Sequence, residues 1–300
     1  MEENNMAVLE KLTFVSGYEK NGVLRRSFNE LAKETFGIQF EDWFGLGYWS
    51  DKYIPYSFAD GDKVVANASA NLIRFSGEGK DWKAVQVGTV MTHKDYRNQG
   101  LARQLMERIL EDYKEADLIY LFANSTVLDF YPKFGFSPVE ETQYFIKADA
   151  GSNQSEVRKL DGRNPDDLSF IYEMAGRRTF PGGFDAVNTR ELLMFYCLNV
   201  FHDDIYHLPE DGTIVIARQE EDVLHIYDVI SSEPDWNPAD LARRLAGKET
   251  NRAALYFTPS PKTAVLEKVK YQDSHILFVK YNGEHSRLPA EFKHPLTVQA

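Results

Sequence analysis

The feature that most constrains the fold is the stretch Val85–Ala102, where a strand pattern passes through a short polar loop into a helix. The strand pattern ends near Val90-Met91, and the helix opens at Arg97-Asn98-Gln99-Gly100-Leu101-Ala102. A helix start leaves backbone N–H groups unpaired, and the helix dipole places partial positive charge there. Gly100 lets a phosphate approach the backbone closely, and Arg103 follows as a cationic donor. Taken alone, the stretch predicts either an anion site or a plain strand-to-helix turn.

Helical and strand patterns alternate along the whole chain, which predicts a mixed α/β fold. In the first half, the periodicity predicts helices at 21–35, 101–113 and 126–134, strands at 63–75, 82–91, 118–123 and 143–147, and a turn at 76–79. In the second half, Asn-Pro pairs predict helix starts at Asn164 and Asn237. The second half is also expected to contain strands at 213–218, 223–230, 253–258 and 275–281.

A length of 300 residues suits one large domain or two of ordinary size. Residues 148–154 are small and polar, as in a linker, and lie near the midpoint. We therefore expect a first domain at 1–148, a linker at 149–156 and a second domain at 157–300.

Charge and composition exclude several classes of protein. The net charge of −12 comes from 34 basic and 46 acidic residues without a basic run, which argues against a nucleic-acid partner. No stretch approaches the ~20 apolar residues of a membrane span, and Met1–Asn5 does not resemble a signal peptide, so we expect a cytoplasmic protein without a membrane partner. A single cysteine, Cys197, excludes an internal disulfide and a cysteine-based zinc cluster.

Two motifs together resemble the GNAT superfamily of N-acetyltransferases. The run Thr92-His93-Lys94-Asp95-Tyr96-Arg97-Asn98-Gln99-Gly100-Leu101-Ala102 is similar to motif A, whose loop reads Arg/Gln-x-x-Gly-x-Gly/Ala. The run Asn124-Ser125-Thr126-Val127-Leu128-Asp129-Phe130-Tyr131-Pro132-Lys133-Phe134-Gly135-Phe136 is similar to motif B. The resemblance covers about residues 8–147 and implies the GNAT fold, a mixed central sheet flanked by helices.

The resemblance also implies acetyl-CoA as the donor, without a metal. Its pyrophosphate would be held by the backbone of the loop and helix start, and its pantetheine arm by strand edges; the residues implied are Val90, Met91, Arg97, Asn98, Gln99, Gly100, Leu101, Ala102, Arg103 and Asn124. Tyr131 would protonate the leaving thiolate as general acid; the alternative is a core tyrosine. His93 would be structural. A small-molecule or peptide amine would be the acceptor.

The sequence does not identify the general base or the acceptor. Three carboxylates lie in the region that walls the acceptor site in the family, and each is also readable as a surface residue: Glu34, Glu41 and Asp42. Four aromatic residues could form an acceptor pocket or simply pack: Trp43, Trp49, Tyr53 and Tyr56.

Other polar residues carry weaker patterns. His202-Asp203-Asp204 with His207 lacks a repeated ligand spacing, so no metal site is predicted there. Cys197 lies in an apolar stretch and is expected to be a buried small side chain. His225 and Asp228, three apart on a strand, should point to opposite faces and not act as a pair.

The second half echoes the first at an offset of 140 residues (240 − 100), which predicts a duplicated GNAT fold with a degenerate second copy. Gly100-Leu101-Ala102-Arg103-Gln104-Leu105 compares with Asp240-Leu241-Ala242-Arg243-Arg244-Leu245. In this alignment Pro238 replaces Asn98, and a second echo puts Leu266 opposite Tyr131. The second copy is therefore expected not to bind CoA, and to serve as scaffold, acceptor-site wall or homodimer surface.

These observations favour an acetyl-CoA-dependent N-acetyltransferase. A non-catalytic acyl-CoA sensor and an acyltransferase that uses another acyl group stay open as alternatives, because the loop motif recognises the CoA and not the acyl chain.

Overall fold

The computed structural model of the chain describes residues 11–77, 79–148, 156–180, 183–233, 235–283 and 287–300. Two predictions concern parts outside these residues, namely the amino terminus Met1–Asn5 and the linker at 149–155. Within the described ranges, none of the helices has both the length and the apolar character that a membrane crossing requires.

The described residues form strands and helices in alternation. The strands are β1 (Thr13–Ser16), β2 (Tyr53–Asp60), β3 (Lys63–Gly77), β4 (Lys80–Thr92), β5 (Leu118–Asn124), β6 (Ser137–Val139), β7 (Thr142–Lys147), β8 (Arg158–Leu160), β9 (Phe184–Val187), β10 (Ile205–Leu208), β11 (Thr213–Glu220), β12 (Val223–Ser231), β13 (Arg252–Leu255), β14 (Glu267–Lys270) and β15 (His275–Tyr281). The helices are α1 (Gly22–Phe36), α2 (Glu41–Gly45), α3 (Leu101–Asp112), α4 (Pro165–Gly176), α5 (Arg190–Asn199) and α6 (Pro238–Leu245).

The strands form two mixed sheets with the same layout. Sheet A has the order β1-β2-β3-β4-β5-β15-β6, with β9 also paired to β3, and sheet B has the order β8-β10-β11-β12-β13-β7-β14. In each sheet one central pair is parallel, β4 with β5 and β12 with β13, and the other pairs described are antiparallel. The mixed α/β fold is thereby confirmed, and the two matching sheets are consistent with duplication.

The two halves of the chain exchange a strand. β7, from the first half, lies between β13 and β14 of sheet B, and β15, from the second half, lies between β5 and β6 of sheet A. Each sheet therefore needs both halves. The domain boundary between 1–148 and 157–300 stays a prediction from the sequence. In the structure, each sheet contains strands from both sides of this boundary.

Local sequence accounts for the helices that surround the site. α1 begins where the Asn21 side chain accepts hydrogen bonds from two backbone N–H groups, and it ends at Gly37, whose φ of 74° is left-handed. α3 buries Leu101, Leu105 and Ile109 against the strands of sheet A, as its apolar stripe predicts. The second-half helices α4 and α6 begin at the predicted Asn-Pro pairs.

The last described segment, residues 287–300, runs from sheet B to sheet A and is fixed by a buried polar group. His294 is 1% exposed, and its Nε2 lies 3.0 Å from the Tyr120 hydroxyl. Beside it, Lys293 Nζ lies 3.0 Å from Glu141 Oε1. Burial, together with the Lys293 charge, lowers the pKa of His294 from 6.5 to about 3, so the imidazole is neutral in the folded protein.

Acid is therefore expected to destabilise the chain through His294. In the unfolded state the imidazole gains a proton near its ordinary pKa of 6.5, while in the folded state it stays neutral down to about pH 3. The neutral imidazole therefore contributes its full share to the free energy of unfolding above pH 6.5. This share is lost as the pH falls from 6.5 towards about 3, by up to about 1.4 kcal/mol per pH unit. Urea unfolding at several pH values should show a steeper loss for the wild type than for His294→Gln. Equal slopes would contradict this assignment.

Candidate active site

A cleft of about 1140 Å³ opens where β4 and β5 separate. Their parallel pairing ends at Val87 and Leu121, while β4 continues to Thr92 and β5 to Asn124. The far edge of β5 is already paired with β15. The two inner edges therefore face each other across the gap, and their backbone groups can bind an extended ligand as an added strand.

A β-bulge shapes the β4 edge of the cleft. The register with β3 shifts between Asn67 and Ser69, and opposite this shift Thr89 has a φ of +49°. Asn67 Nδ2 donates to the Thr89 carbonyl at 2.9 Å, and Asn67 Oδ1 accepts from the Ser57 hydroxyl at 2.8 Å. The Ser57 hydroxyl in turn lies 2.6 Å from that of Tyr18. A buried chain of hydrogen bonds thus fixes the bulge.

The loop before α3 has the geometry of an anion site. Asn98 and Gly100 both have left-handed backbones, with φ of 62° and 77°, and such a turn directs successive N–H groups to one side. No side chain caps α3 and no acidic residue lies in its first turn, whereas asparagine side chains cap α1, α4 and α6. The N–H groups at the start of α3 are thus free of a capping side chain.

The structure brings all the residues predicted to hold the donor, and the predicted acid, to the walls of this one cleft. They are Val90, Met91, Arg97, Asn98, Gln99, Gly100, Leu101, Ala102, Arg103, Asn124 and Tyr131. Their individual roles stay predictions. Asn124 is the most restricted of them, because its Oδ1 accepts hydrogen bonds from the Thr126 backbone at 3.0 Å and hydroxyl at 2.5 Å. Only its amide nitrogen can donate to a ligand.

Tyr131 lies at the start of a short 3₁₀ helix, Tyr131–Phe134. The prediction of a helix over 126–134 is therefore wrong for its first part: the Asn124 side chain holds a turn there, and Pro132 cannot donate a backbone hydrogen bond. The Tyr131 ring packs against three phenylalanines, and burial raises the pKa of its hydroxyl to about 12. Among the described residues none forms a hydrogen bond with this hydroxyl. It is protonated at neutral pH and available to a ligand.

The four aromatic residues weighed as an acceptor pocket divide into two pairs. Trp43 and Tyr53 line the cleft. Trp49 does not line it and packs between the rings of Trp43 and Phe44, and Tyr56 packs against Phe14 with its hydroxyl 2.9 Å from Asp112. Trp49 and Tyr56 therefore only pack, the alternative left open by the sequence, and a part of Trp43 and Tyr53 in binding the acceptor stays a prediction.

The second half was expected to be a scaffold, an acceptor-site wall or a homodimer surface, but the sequence did not single out the residues with which it lines the cleft. Leu192, Phe195, Tyr196 and Val200 of α5 and its C-terminal end line the cleft opposite the first half, with Gln299 and Ala300 beside them. These residues lie in an apolar helix pattern, which predicts burial but does not reveal the partner.

None of the three candidate carboxylates lines the cleft. Glu41 pairs with Arg25 at 3.0 Å, and Glu34 and Asp42 are exposed. All three are surface residues, the alternative left open by the sequence.

The other polar candidates have local partners. His93 caps the turn at Lys94–Tyr96. His202 Nδ1 lies 2.7 Å from Asp203 Oδ2, and Asp204 pairs with Arg218. The described residues contain no group of side chains suited to a metal. Cys197 is fully buried, which raises the pKa of its thiol.

In sheet B the equivalent crevice, between β12 and β13, is filled by the chain itself. Past the end of the strand pairing, Leu296 N donates to the Tyr256 carbonyl at 3.2 Å and the Thr297 hydroxyl donates to Asp228 at 2.5 Å. Asp228 also pairs with Arg178 at 2.6 Å and does not contact His225. The segment then continues to the cleft of sheet A, where the Tyr196 hydroxyl donates to the Gln299 carbonyl at 2.7 Å.

The helix start in sheet B also differs from that of α3. α6 begins at Pro238, three residues before the position aligned with Leu101, and the Asn237 side chain accepts a hydrogen bond from Ala239 N. Asp240 therefore lies inside the first turn, where it pairs with Arg243, whereas Gly100, with which it aligns, directly precedes the first residue of α3. Leu266, aligned with Tyr131, is 61% exposed.

Comparisons with known proteins agree with this geometry. Residues 23–139 match the family model of the acetyltransferase (GNAT) domain. Three solved structures share the fold: a probable N-acyltransferase from Enterococcus faecalis (14% identity, TM-score 0.57, covering 90% of this chain and 72% of that one), a GCN5-related N-acetyltransferase from Kribbella flavida (15%, 0.55, 90% and 71%) and Eis1 from Mycobacterium abscessus (11%, 0.53, 90% and 73%). No curated protein matches the chain significantly.

Proposed function

We propose that the chain is an N-acetyltransferase that uses acetyl-CoA to acetylate an amine, since residues 23–139 match the family model of the GNAT acetyltransferase domain. The observation that carries the proposal is the convergence of three features in one cleft. These are the separated edges of β4 and β5, the uncapped start of α3 and the unpartnered hydroxyl of Tyr131.

The residues present fit acetyl-CoA. The left-handed turn at Asn98 and Gly100 and the free N–H groups of α3 suit the pyrophosphate, with Arg97 and Arg103 as neighbouring cations. Arg97 is held in place, since its Nε donates to the Thr92 carbonyl at 3.2 Å. The edge at Val90 and Met91 suits the amide groups of pantetheine. Acetyl-CoA supplies an activated acetyl group as a thioester.

In the proposed reaction, the neutral amine attacks the thioester carbonyl, the new C–N bond forms and the C–S bond breaks. Tyr131 donates its proton to the departing sulfur, and the amine loses one proton to solvent. Backbone N–H groups near Met91 would stabilise the negative charge on the carbonyl oxygen. We assign no aspartate or glutamate as base, because neither residue type lines the cleft among the described residues.

The test is release of CoA thiol from acetyl-CoA by the purified chain with a panel of amines. Amine-dependent release supports the proposal. Binding of acetyl-CoA without release in the presence of any amine would instead favour the acyl-CoA sensor. Faster release from a longer acyl-CoA than from acetyl-CoA would favour the acyltransferase with another acyl group.

One CoA is expected to bind per chain. The crevice of sheet B holds residues 296–298, and the start of α6 is capped by Asn237 and lacks one donor at Pro238, so neither pantetheine nor pyrophosphate has a place there. Calorimetric titration with CoA should give a stoichiometry of one. Two equivalent sites would contradict the assignment of the second copy as degenerate.

A further inference from the structure

Part of the cleft, called here the aromatic chamber, is walled by a packed cluster of rings from both halves of the chain. Phe40, Trp43 and Tyr53 come from the first half and Phe195 from α5. The ring centroid of Phe195 lies 5.1 Å from that of Phe40 and 5.9 Å from that of Trp43. Phe40 and Tyr53 are 5.6 Å apart. The strand edge and Tyr131 meet this chamber in the same cleft.

The polar atoms of the chamber are already used by the protein. Trp43 Nε1 donates to the Glu191 carbonyl at 2.7 Å, and the Tyr196 hydroxyl donates to the Gln299 carbonyl at 2.7 Å. The Tyr53 hydroxyl bonds that of Thr89. Phe40, Trp43 and Tyr53 are at most 4% exposed, so the surface that they offer a ligand is small and consists of ring carbon. The ring of Phe195 is more accessible.

The apolar surface continues to the mouth of the cleft. Phe36, from the end of α1, is 44% exposed, and Val200, at the end of α5, is 43% exposed. Both line the cleft. Solvent-exposed apolar residues that rim a cavity are a common sign of a site for an apolar ligand.

The cleft has cationic side chains around the start of α3 and near Tyr131. Arg97, Arg103 and Lys133 line it, and no aspartate or glutamate does so within the part of the chain described. The carboxylate of Glu191, close behind Trp43, is engaged by Lys52 at 2.8 Å and faces other cavities. A ligand with several ammonium groups would lose hydration without gaining an opposite charge.

We propose that the acceptor is an amine with one amino group on an apolar, aromatic body, the class of 2-phenylethylamine and tryptamine. Polyamines and lysine-rich peptides should react poorly, because no aspartate or glutamate side chain lines the cleft among the described residues. Aromatic surroundings hold the body by burial and ring contacts, and they favour the neutral amine that attacks the thioester. This inference rests on the function proposed above and narrows its substrate.

The experiment compares kcat/KM for 2-phenylethylamine, ethylamine and spermidine with acetyl-CoA as donor. 2-Phenylethylamine is expected to exceed each of the other two at least tenfold. A better reaction of spermidine would overturn the proposed acceptor class while leaving the transferase function intact. A rate with ethylamine that rises tenfold or more with octanoyl-CoA would also overturn it, since the chamber would then hold an acyl chain. Absence of release with every amine would reject the transferase function itself.

Two variants keep the test specific. Phe195→Ala should lower kcat/KM for 2-phenylethylamine at least tenfold more than it lowers kcat/KM for ethylamine. Phe36→Glu, at an exposed position that tolerates substitution, should lower kcat/KM for 2-phenylethylamine and raise it for spermidine. Leu266→Ala, exposed and away from the cleft, is the matched control and should behave as wild type. An equal loss with 2-phenylethylamine and ethylamine in Phe195→Ala would contradict a role in recognising the ring.

Discussion

Replacement of Tyr131 by phenylalanine is expected to lower kcat by about 100-fold or more, with little change in the affinity for acetyl-CoA. The substitution removes only the hydroxyl, since the ring is held by contacts with Phe130, Phe136 and Phe278 that phenylalanine can keep. Without this proton donor the sulfur must leave as a thiolate. Rates of thiol release and calorimetric affinity for acetyl-CoA, measured on the same preparation, separate the two effects.

The matched control is Tyr206→Phe, which removes a tyrosine hydroxyl from β10 of sheet B, away from the cleft. It should retain wild-type turnover. If Tyr131→Phe also retained it, Tyr131 would be a core residue and not the acid. Parallel loss of turnover and CoA affinity would instead point to a collapse of the cleft.

The dependence of kcat on pH is a second test of the role of the Tyr131 hydroxyl. Because burial raises the pKa of its hydroxyl to about 12, the proton is retained through neutral and moderately alkaline solution. The wild-type kcat should therefore not fall between about pH 7 and about pH 10 through loss of this proton. A decline in that range, absent from Tyr131→Phe, would mean that the hydroxyl ionises much earlier.

The donor side of the cleft was predictable from sequence because its parts are local. The run from Arg97 to Arg103 contains the glycine, the helix start and the cations in adjacent positions, and the backbone of one loop assembles them. Tyr131 and Asn124 follow at a spacing set by one strand and one turn. For such a site, the order of residues along the chain already fixes their order in space.

The acceptor side was only partly predictable because it joins distant segments. Trp43 and Phe195 lie 152 positions apart (195 − 43), and each belongs to a pattern that predicts burial without naming a neighbour. The exchange of β7 and β15 escaped prediction for the same reason: a strand's alternation indicates which face is buried, and either sheet could accept it.

The filled crevice of sheet B is the structural reason to expect a single CoA site per chain. An echo at a fixed offset predicts a second sheet with the same layout, and the structure has one. The sequence echo cannot predict that the Thr297 hydroxyl donates to Asp228 inside the crevice of sheet B, because this hydrogen bond joins the last residues to a strand 69 positions earlier. The same segment then reaches the cleft at Gln299 and Ala300, so the second half acts on the site as a wall.

Gly100→Asp is expected to weaken CoA binding about 100-fold. Position 100 has a left-handed φ of 77° directly before the free N–H groups of α3, and a built Cβ would meet no atom within 4 Å, so a side chain fits without a clash. Asparagine and aspartate both tolerate a left-handed backbone better than other side chains. Gly100→Asn is thus the matched control: it adds the same volume without charge and should cost only a few-fold. The difference in CoA affinity between the two variants then reports the repulsion between the carboxylate and the pyrophosphate, and this difference should shrink as the salt concentration is raised. If the two variants bound CoA equally, the charge at the helix start would be irrelevant and the pyrophosphate would lie elsewhere in the cleft.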